Sequence, residues 1–546
     1  MRGIACVVAV FVVCALLQGL RGQTIPLDPD PYWYRNFSTE RSLCLADIDG
    51  DGFLDLGIVR ESATNIILMN NAGVLDTVPT WYSGSPDTTI GIAFGDYDND
   101  GDLDMATAGP YFLNGRLKLH RNDGGTITQN HVWMSGSQGG MCCVWGDVDN
   151  DGDLDLASCD MMAYPSVHYN NGGLLETNPS WQASDYNIDE FCTWADINRD
   201  GWLDLVVGNY TGSQPPLRIY FNDSTGTLEN PASWVSRADA ATFSTGGVSA
   251  GDIDKDGWID VFTANGAGIA LNDQNNSGYH NNLGTLDTLP SWVSGDVYNS
   301  IGCMLGDING DGYLDWAVAN HYDGRPAASV YANNNGILQT LPWNTNVDNA
   351  TWNLDIGDID RDGITVREDT VTADGHLKLF YLSVMPIHRI LEITVDGNSV
   401  PLSGYAYCLK SGWVTLANTP FSGSVIIFRY EYSIDMELVV SGTWVFENTS
   451  AAIHERQENI KPTIELSNFP NPFFEKTTIA FTLPRAGDVS LEIFDCTGRL
   501  VRRWNDHLDA GKHSYGLQGK NLKPGVYFCT IGALGKTYKT KIIKGG

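Results

Sequence analysis

This sequence predicts an all-β fold, a seven-bladed β-propeller with a small β insert in the seventh blade, on three observations. An aspartate ladder with glycine is written seven times, first as Asp47-Ile48-Asp49-Gly50-Asp51-Gly52-Phe53-Leu54-Asp55, then from Asp96, Asp147, Asp196, Asp252, Asp307 and Asp358. Successive ladders start 49, 51, 49, 56, 55 and 51 residues apart, a period that means a solenoid, a propeller or a tandem array. Around each ladder four strand-like segments recur, and four strands per repeat is the layout of a propeller blade.

The elements follow in chain order. Residues 1–22 read as a secretory signal peptide, because an apolar run from Ile4 to Leu20 follows Arg2. The run is short for a membrane span, and no later segment is apolar for long enough to span a bilayer. The propeller is expected over 23–363 and 435–450. Each unit carries a Trp 14 to 18 residues before its first Asp, at Trp33, Trp81, Trp133, Trp181, Trp234, Trp292 and Trp343. A short apolar stretch such as Gly91-Ile92-Ala93-Phe94 leads into the ladder. An alternating stretch such as Leu203-Asp204-Leu205-Val206-Val207 leaves it, and a third ends in Asn, as at Asn222. Period-two patterning between Gly, Asn and Asp turns marks short strands. The chain starts on a Trp segment and its last unit ends on a third segment at Val445. The N-terminal strand should therefore complete the last blade and leave no long edge open.

The seventh ladder keeps Asp358, Asp360 and Asp362, but its ninth position is Val366. The pattern resumes at Met436-Glu437-Leu438-Val439-Val440, which lays Glu437 on the place of Asp204. Residues 364–434 are thus expected as an insert inside the loop. Strong alternation over His376 to Ser383, Arg389 to Val395 and Ser424 to Tyr432 marks it as a small β domain. Residues 451–463 are polar and read as a linker.

Alternate carboxylates curling around one ion make each ladder a hard-cation site by composition, and glycine at the sixth position permits the sharp turn. The ladders and Glu437 hold 26 of the 66 acidic residues, and the formal charge of −33 leaves no basic surface for nucleic acid. An EF-hand is excluded, because its twelfth position should be Glu and here is Ile58 or Thr107. Of eleven cysteines, nine remain beyond the leader, an odd number that argues against a full disulfide framework. Cys143, Cys192 and Cys303 each stand four residues before a ladder, where other repeats have Ile92, Val248 and Leu354. They read as small buried apolar residues. Cys496 and Cys529 are left as a possible pair.

The units resemble the FG-GAP/VCBS repeat family, which includes the propeller head of integrin alpha subunits. The resemblance implies calcium, up to seven ions, in the loop between the first two strands of each blade. By residue it implies Asp47, Asp49, Asp51 and Asp55 with the Phe53 carbonyl in the first loop. The later loops follow as Asp96, Asp98, Asp100 and Asp104, then Asp147, Asp149, Asp151 and Asp155. Next come Asp196, Asn198, Asp200 and Asp204, then Asp252, Asp254, Asp256 and Asp260. Asp307, Asn309, Asp311 and Asp315 form the sixth set, and Asp358, Asp360, Asp362 and Glu437 the seventh. Asn198 and Asn309 keep an oxygen but lose a charge, so those two sites should be weaker. Residues 464–546 resemble the C-terminal sorting domain of type IX secretion cargo. The motifs are Asn468-Phe469-Pro470-Asn471-Pro472-Phe473, Phe494-Asp495-Cys496-Thr497-Gly498-Arg499, Gly525-Val526-Tyr527 and the basic Lys539-Thr540-Lys541. This resemblance implies an immunoglobulin-like β fold and contact with the type IX secretion machinery. It places the protein outside a two-membrane bacterium, secreted or on the outer cell surface.

No catalytic constellation stands out. Gly247-Val248-Ser249-Ala250-Gly251 spells a nucleophile elbow, but it aligns with the strand leading into a ladder, whereas the elbow needs a strand-to-helix turn. The histidines show no zinc spacing. The expected function is a calcium-binding adhesion or binding module for a glycan or a surface protein. Tyr111, Tyr164, Tyr210 and Tyr322 follow the second strands, where they would suit sugar stacking. The alternatives are a calcium-dependent polysaccharide-degrading enzyme of the lyase kind, and an adhesin whose insert makes the contact.

Overall fold

The computed structural model describes residues 25–449 and 467–545, apart from 36, 186, 211–214, 238–243, 267–272, 322–323, 470–472, 484–486, 496–498, 509–510, 521 and 534–535. The expected signal peptide and linker lie outside the described residues, as do Tyr322 and Cys496. The chain divides into two compact units, 1–452 and 453–546.

In the first unit each repeat forms one four-stranded antiparallel sheet. The first sheet runs Glu40–Ala46, Asp55–Arg60, Ile66–Leu68, Trp81–Tyr82, with the ladder as the hairpin between its first two strands. The second strand reads in sequence as an alternating stretch. Yet Asp204–Asn209 is buried at every residue, because neighbouring sheets cover both of its faces. Each short Trp strand is the outermost of its sheet. The indole N–H of Trp81 donates to Ile127 O in the next sheet at 2.8 Å, and that of Trp181 to Leu228 O at 2.8 Å.

The first strands of successive sheets are neighbours in a closed cycle. Glu40–Ala46 meets Gly91–Gly95, and the order continues through Cys142–Gly146, Asp189–Ala195, Thr245–Gly251, Ser300–Gly306 and Leu354–Gly357 back to Glu40–Ala46. The seventh sheet takes its outer strand from the chain's beginning, with Trp33 opposite Val445 and Tyr34 opposite Trp444. Tyr34 stacks on Trp444 at 4.9 Å, and buried Glu40 accepts the Phe37 N–H at 2.9 Å and the Thr443 hydroxyl at 2.8 Å.

Between Gly363 and Asp435 the chain leaves and re-enters the seventh sheet side by side. Ile364–Thr372 pairs antiparallel with Val425–Ser433 along its whole length. These strands join Arg389–Val395 and Asn398–Ser399 in one sheet, and Leu379–Tyr381, Trp413–Leu416 and Tyr405–Cys408 make a second. The two share a core that includes Phe380, Ile393, Val414 and Phe428. This segment lies across the ladder end of the ring. His388 Nε2 is 2.7 Å from Gly52 O at the first ladder, Lys378 donates to Asn150 O at the third at 2.7 Å, and the Asp196 N–H at the fourth donates to Tyr381 Oη at 2.9 Å. At Gly152 the approach is so close that an added Cβ would stand 2.7 Å from Ala417 Cβ.

The second unit is two antiparallel sheets. One is Ser467–Phe469, Lys476–Leu483, Gly511–Gln518, and the other Leu500–Leu508, Gly487–Asp495, Gly525–Ala533, Lys536–Lys544. Phe473, Ile479, Leu491, Ile531 and Ile542 are buried in its core. No helix among the described residues is long and apolar enough to cross a membrane.

Candidate metal centres

The seven ladders fold alike, because their side chains bind their own backbone. The sixth-position Gly N–H donates to the first-position carboxylate in every loop, from Gly52 to Asp47 through Gly363 to Asp358, at 2.7–3.0 Å. The ninth-position carboxylate accepts the second-position N–H at 2.9–3.3 Å, from Ile48 to Asp55 through Ile308 to Asp315. Ile359 N–H donates to Glu437 Oε2 at 2.7 Å, so Glu437 occupies in the seventh loop the place that Asp holds in the others. The sixth-position glycine is left-handed in six loops, with Gly52 at φ 92°, and the fourth position is left-handed in all seven even where it is Asn99, Asn150, Arg199, Lys255 or Arg361.

In the first three loops the carboxylates at positions one, three and nine converge. Asp47, Asp49 and Asp55 each bring an oxygen within 4.8 Å of the other two, as do Asp96, Asp98 and Asp104, and Asp147, Asp149 and Asp155. The fifth-position Asp51 accepts the Phe53 N–H at 2.8 Å, and Asp100, Asp151, Asp200, Asp256 and Asp311 are placed likewise within their loops. Burial and mutual repulsion push the carboxyls up, Asp55 to about 7, Asp104 to about 8, Asp315 to about 8 and Asp358 to about 7. In six loops a buried carboxylate oxygen has no hydrogen-bond partner among the described residues: Asp47 Oδ1, Asp98 Oδ1, Asp149 Oδ1, Asp252 Oδ1, Asp311 Oδ2 and Asp358 Oδ1. A buried unpaired charge is costly, and crowded carboxylates with spare lone pairs are the donor set that a hard divalent cation satisfies.

Three loops depart from the pattern. Asn198 Nδ2 donates to Asp200 Oδ2 at 3.1 Å and Asn309 Nδ2 to Asp315 Oδ1 at 3.4 Å, so each amide partly satisfies its own loop. In the fifth loop the His280 ring lies beside the ladder, with Nδ1 3.0 Å from Asp260 and 3.7 Å from Asp254. Sequence reasoning missed His280, although it directly precedes the Asn that ends the third strand. It also missed Asp435 in the seventh loop. Asp435 follows the insert at the seventh position, is buried, and has its carboxyl pushed up to about 8 by burial and by Asp362 and Asp358. Ser433, on the insert's returning strand, donates to Asp358 Oδ2 at 2.8 Å, which ties the insert to that loop.

The Asn that ends each third strand latches two sheets together. Its Nδ2 donates to a carbonyl in its own sheet and to the second-position carbonyl of the preceding ladder. The cross-sheet bonds are Asn70 to Ile359, Asn122 to Ile48, Asn170 to Tyr97, Asn222 to Val148, Asn281 to Ile197, Asn333 to Ile253 and Asn448 to Ile308, all 2.7–2.8 Å. The seven latches form a cycle, and each ends on a carbonyl inside a ladder loop.

A family profile described as FG-GAP-like repeat matches residues 47–107 and 196–263. These are FG-GAP-like repeats. A second profile, the secretion system C-terminal sorting domain, matches residues 467–545. The chain therefore carries FG-GAP-like repeats and a type IX sorting domain, which marks it for secretion or display on the outer surface. Neither family is a catalytic one. Ser249, centre of the elbow-like string, lies in the extended strand Thr245–Gly251 and accepts the Trp316 indole N–H at 2.9 Å. A search of curated proteins finds no relative. Among solved structures the chain is similar to "Crystal structure of BBS1N in complex with ARL6DN, soaked with mercury" and to its counterpart soaked with lead. Each is 12% identical with a TM-score of 0.41, over 63% of this chain and 92% of that one.

Proposed function

We propose that the first unit is a seven-bladed propeller, formed by residues 23–363 and 435–450, whose ladder loops hold up to seven calcium ions. Residues 364–434 are its inserted β domain, and 464–546 form an immunoglobulin-like sorting domain. Calcium in these loops is structural: it neutralises the crowded carboxylates and stiffens the hairpins on which the latches end. The propeller acts as a binding and adhesion module for a glycan or a surface protein.

One observation carries the binding reading. The insert covers the ladder end of the ring, and the opposite end, where second strands turn into third strands, carries exposed aromatic and apolar side chains from two adjacent sheets. Tyr111, Phe112 and Leu113 come from the second sheet, and Met162 and Tyr164 from the third. Buried Asp160 holds both segments, accepting the Tyr111 N–H and the Met162 N–H at 2.8 Å each. Rigid exposed aromatics on a fixed backbone suit sugar stacking or a protein hot spot. Tyr210, expected with them, is only half-buried. The test is capture of the mature full chain by a panel of polysaccharides and matrix proteins, in calcium and in chelator. Capture of one class, lost in the Tyr111→Ala, Tyr164→Ala double variant, supports the reading. A folded protein that captures nothing, or a double variant that binds undiminished, overturns it.

A further inference from the structure

Three thiols meet in the core of the ring, away from every ladder. Cys142 and Cys159 face each other across the first two strands of the third sheet, and Cys192 comes from the first strand of the fourth. Cys142 Sγ lies 3.2 Å from Cys159 Sγ and 3.3 Å from Cys192 Sγ, and all three side chains are buried, Cys159 completely. The sulfurs lie within 4.8 Å of one another, with no His, Asp or Glu ligand atom in the group. Cys142 and Cys192 also line the central cavity, of about 280 Å³, between the ring and the insert. That cavity is rich in sulfur: six of its lining residues are cysteines, Cys44, Cys143, Cys303 and Cys408 among them, and four are methionines.

We propose that Cys142, Cys159 and Cys192 form a three-thiolate site for a soft monovalent cation of the copper(I) class, reached through the central cavity. Thiolate and thioether donors select soft ions. Zinc takes four ligands in structural sites, whereas this cluster offers three sulfurs with no His, Asp or Glu beside them among the described residues. The donors sit on strands of two adjacent sheets, so the site is rigid and needs no loop to close. Each thiol that ligates gives up its proton, leaving as solvent-bound H⁺ through the cavity. A disulfide would use two of the sulfurs and strand the third against it, whereas one ion uses all three.

The test titrates the reduced, oxygen-free full chain with copper(I) against the chelator bicinchoninate, with native mass spectrometry reading stoichiometry. One copper(I) per chain is expected to be retained. Cys142→Ala and Cys192→Ala should each weaken retention by at least about 100-fold, no less than the loss of an outer-shell partner costs a metal site. Cys303→Ala, which removes a cavity sulfur outside the cluster, should leave retention unchanged. If the cluster variants misfold, the wild type still decides: X-ray absorption of the copper(I)-loaded chain should report three sulfur ligands on the ion. Undiminished retention in a folded Cys142→Ala protein, equal loss in Cys303→Ala, a copper environment without three sulfurs, or a native disulfide joining Cys142 to Cys159 or Cys192 would each overturn the assignment.

Discussion

The Asn latches make a quantitative prediction that does not depend on any ion. Asn170 is fully buried, and its Nδ2 donates to Tyr97 O at 2.7 Å in the preceding sheet and to Leu154 O at 3.1 Å in its own. Asn170→Ala removes both donors and strands two buried carbonyls, at about 1–3 kcal/mol each. Part of that is offset, because Asn170 Oδ1 is itself buried without a partner among the described residues and goes with the side chain. The expected loss is therefore about 2–4 kcal/mol, in the lower part of the range for two stranded acceptors. Equilibrium denaturation of the full chain in saturating calcium measures it. Asn171→Ala, at the exposed neighbour, serves as control and should stay within about 0.5 kcal/mol of wild type. Asn170→Asp should be at least as damaging as Ala, since it turns a carboxylate toward two carbonyl oxygens. Equal denaturation midpoints for Asn170→Ala and Asn171→Ala would refute the latch.

Chelation should lower the melting temperature steeply, because at ten times the dissociation constant each ion adds on the order of 1.4 kcal/mol; an unchanged melt would sink structural calcium. The pH dependence should change sign with the ion. Carboxyls such as Asp55, raised to about 7, and Asp104, raised to about 8, favour the protonated folded state, so metal-free stability should be greatest at acid pH and fall from about pH 4 through pH 8. In calcium the same carboxylates must be ionised to bind, so stability should rise over that interval; slopes of one sign in both conditions would contradict a shared site. Asp435→Asn should weaken one ion of the seven and leave the others, read by calcium titration, and unaltered binding would exclude Asp435 as a ligand. Asp204→Ala likewise should weaken one site without abolishing the fold, whereas loss of all ion binding would contradict independent loops.

What was legible in the sequence is what repeats in side chains. The ladders, the Trp segments and the Asn at each third strand recur at one spacing, and Glu437 could be placed because it follows the same apolar register as Asp204. Asp435 escaped notice because its position elsewhere holds Phe53 or another residue read through its main-chain carbonyl, so no side-chain pattern marks it. The partners of the Asn latches lie one repeat back, on carbonyls that carry no letter. Cys192 shares a register with Cys143 and Cys303, and that shared place concealed its meeting with Cys142 and Cys159, which only strand pairing brings together. The covering of the ladder end by the insert is a matter of surfaces in contact, for which no periodicity exists.

The clasp between Trp33 and Val445 orders events in time as well as in space. A chain emerging from its N-terminus carries Trp33–Tyr34 early, with nothing to pair with, and the ring stays an open row of sheets until residue 445 follows. Pairing across so long a stretch of chain is slow to form, and until then the strand edges beside it are free to join other chains. The sorting domain at 467–545 lies beyond that point. Every chain that bears the export address therefore already contains the strand that closes the ring, while a product cut short before residue 445 lacks both the closure and the address.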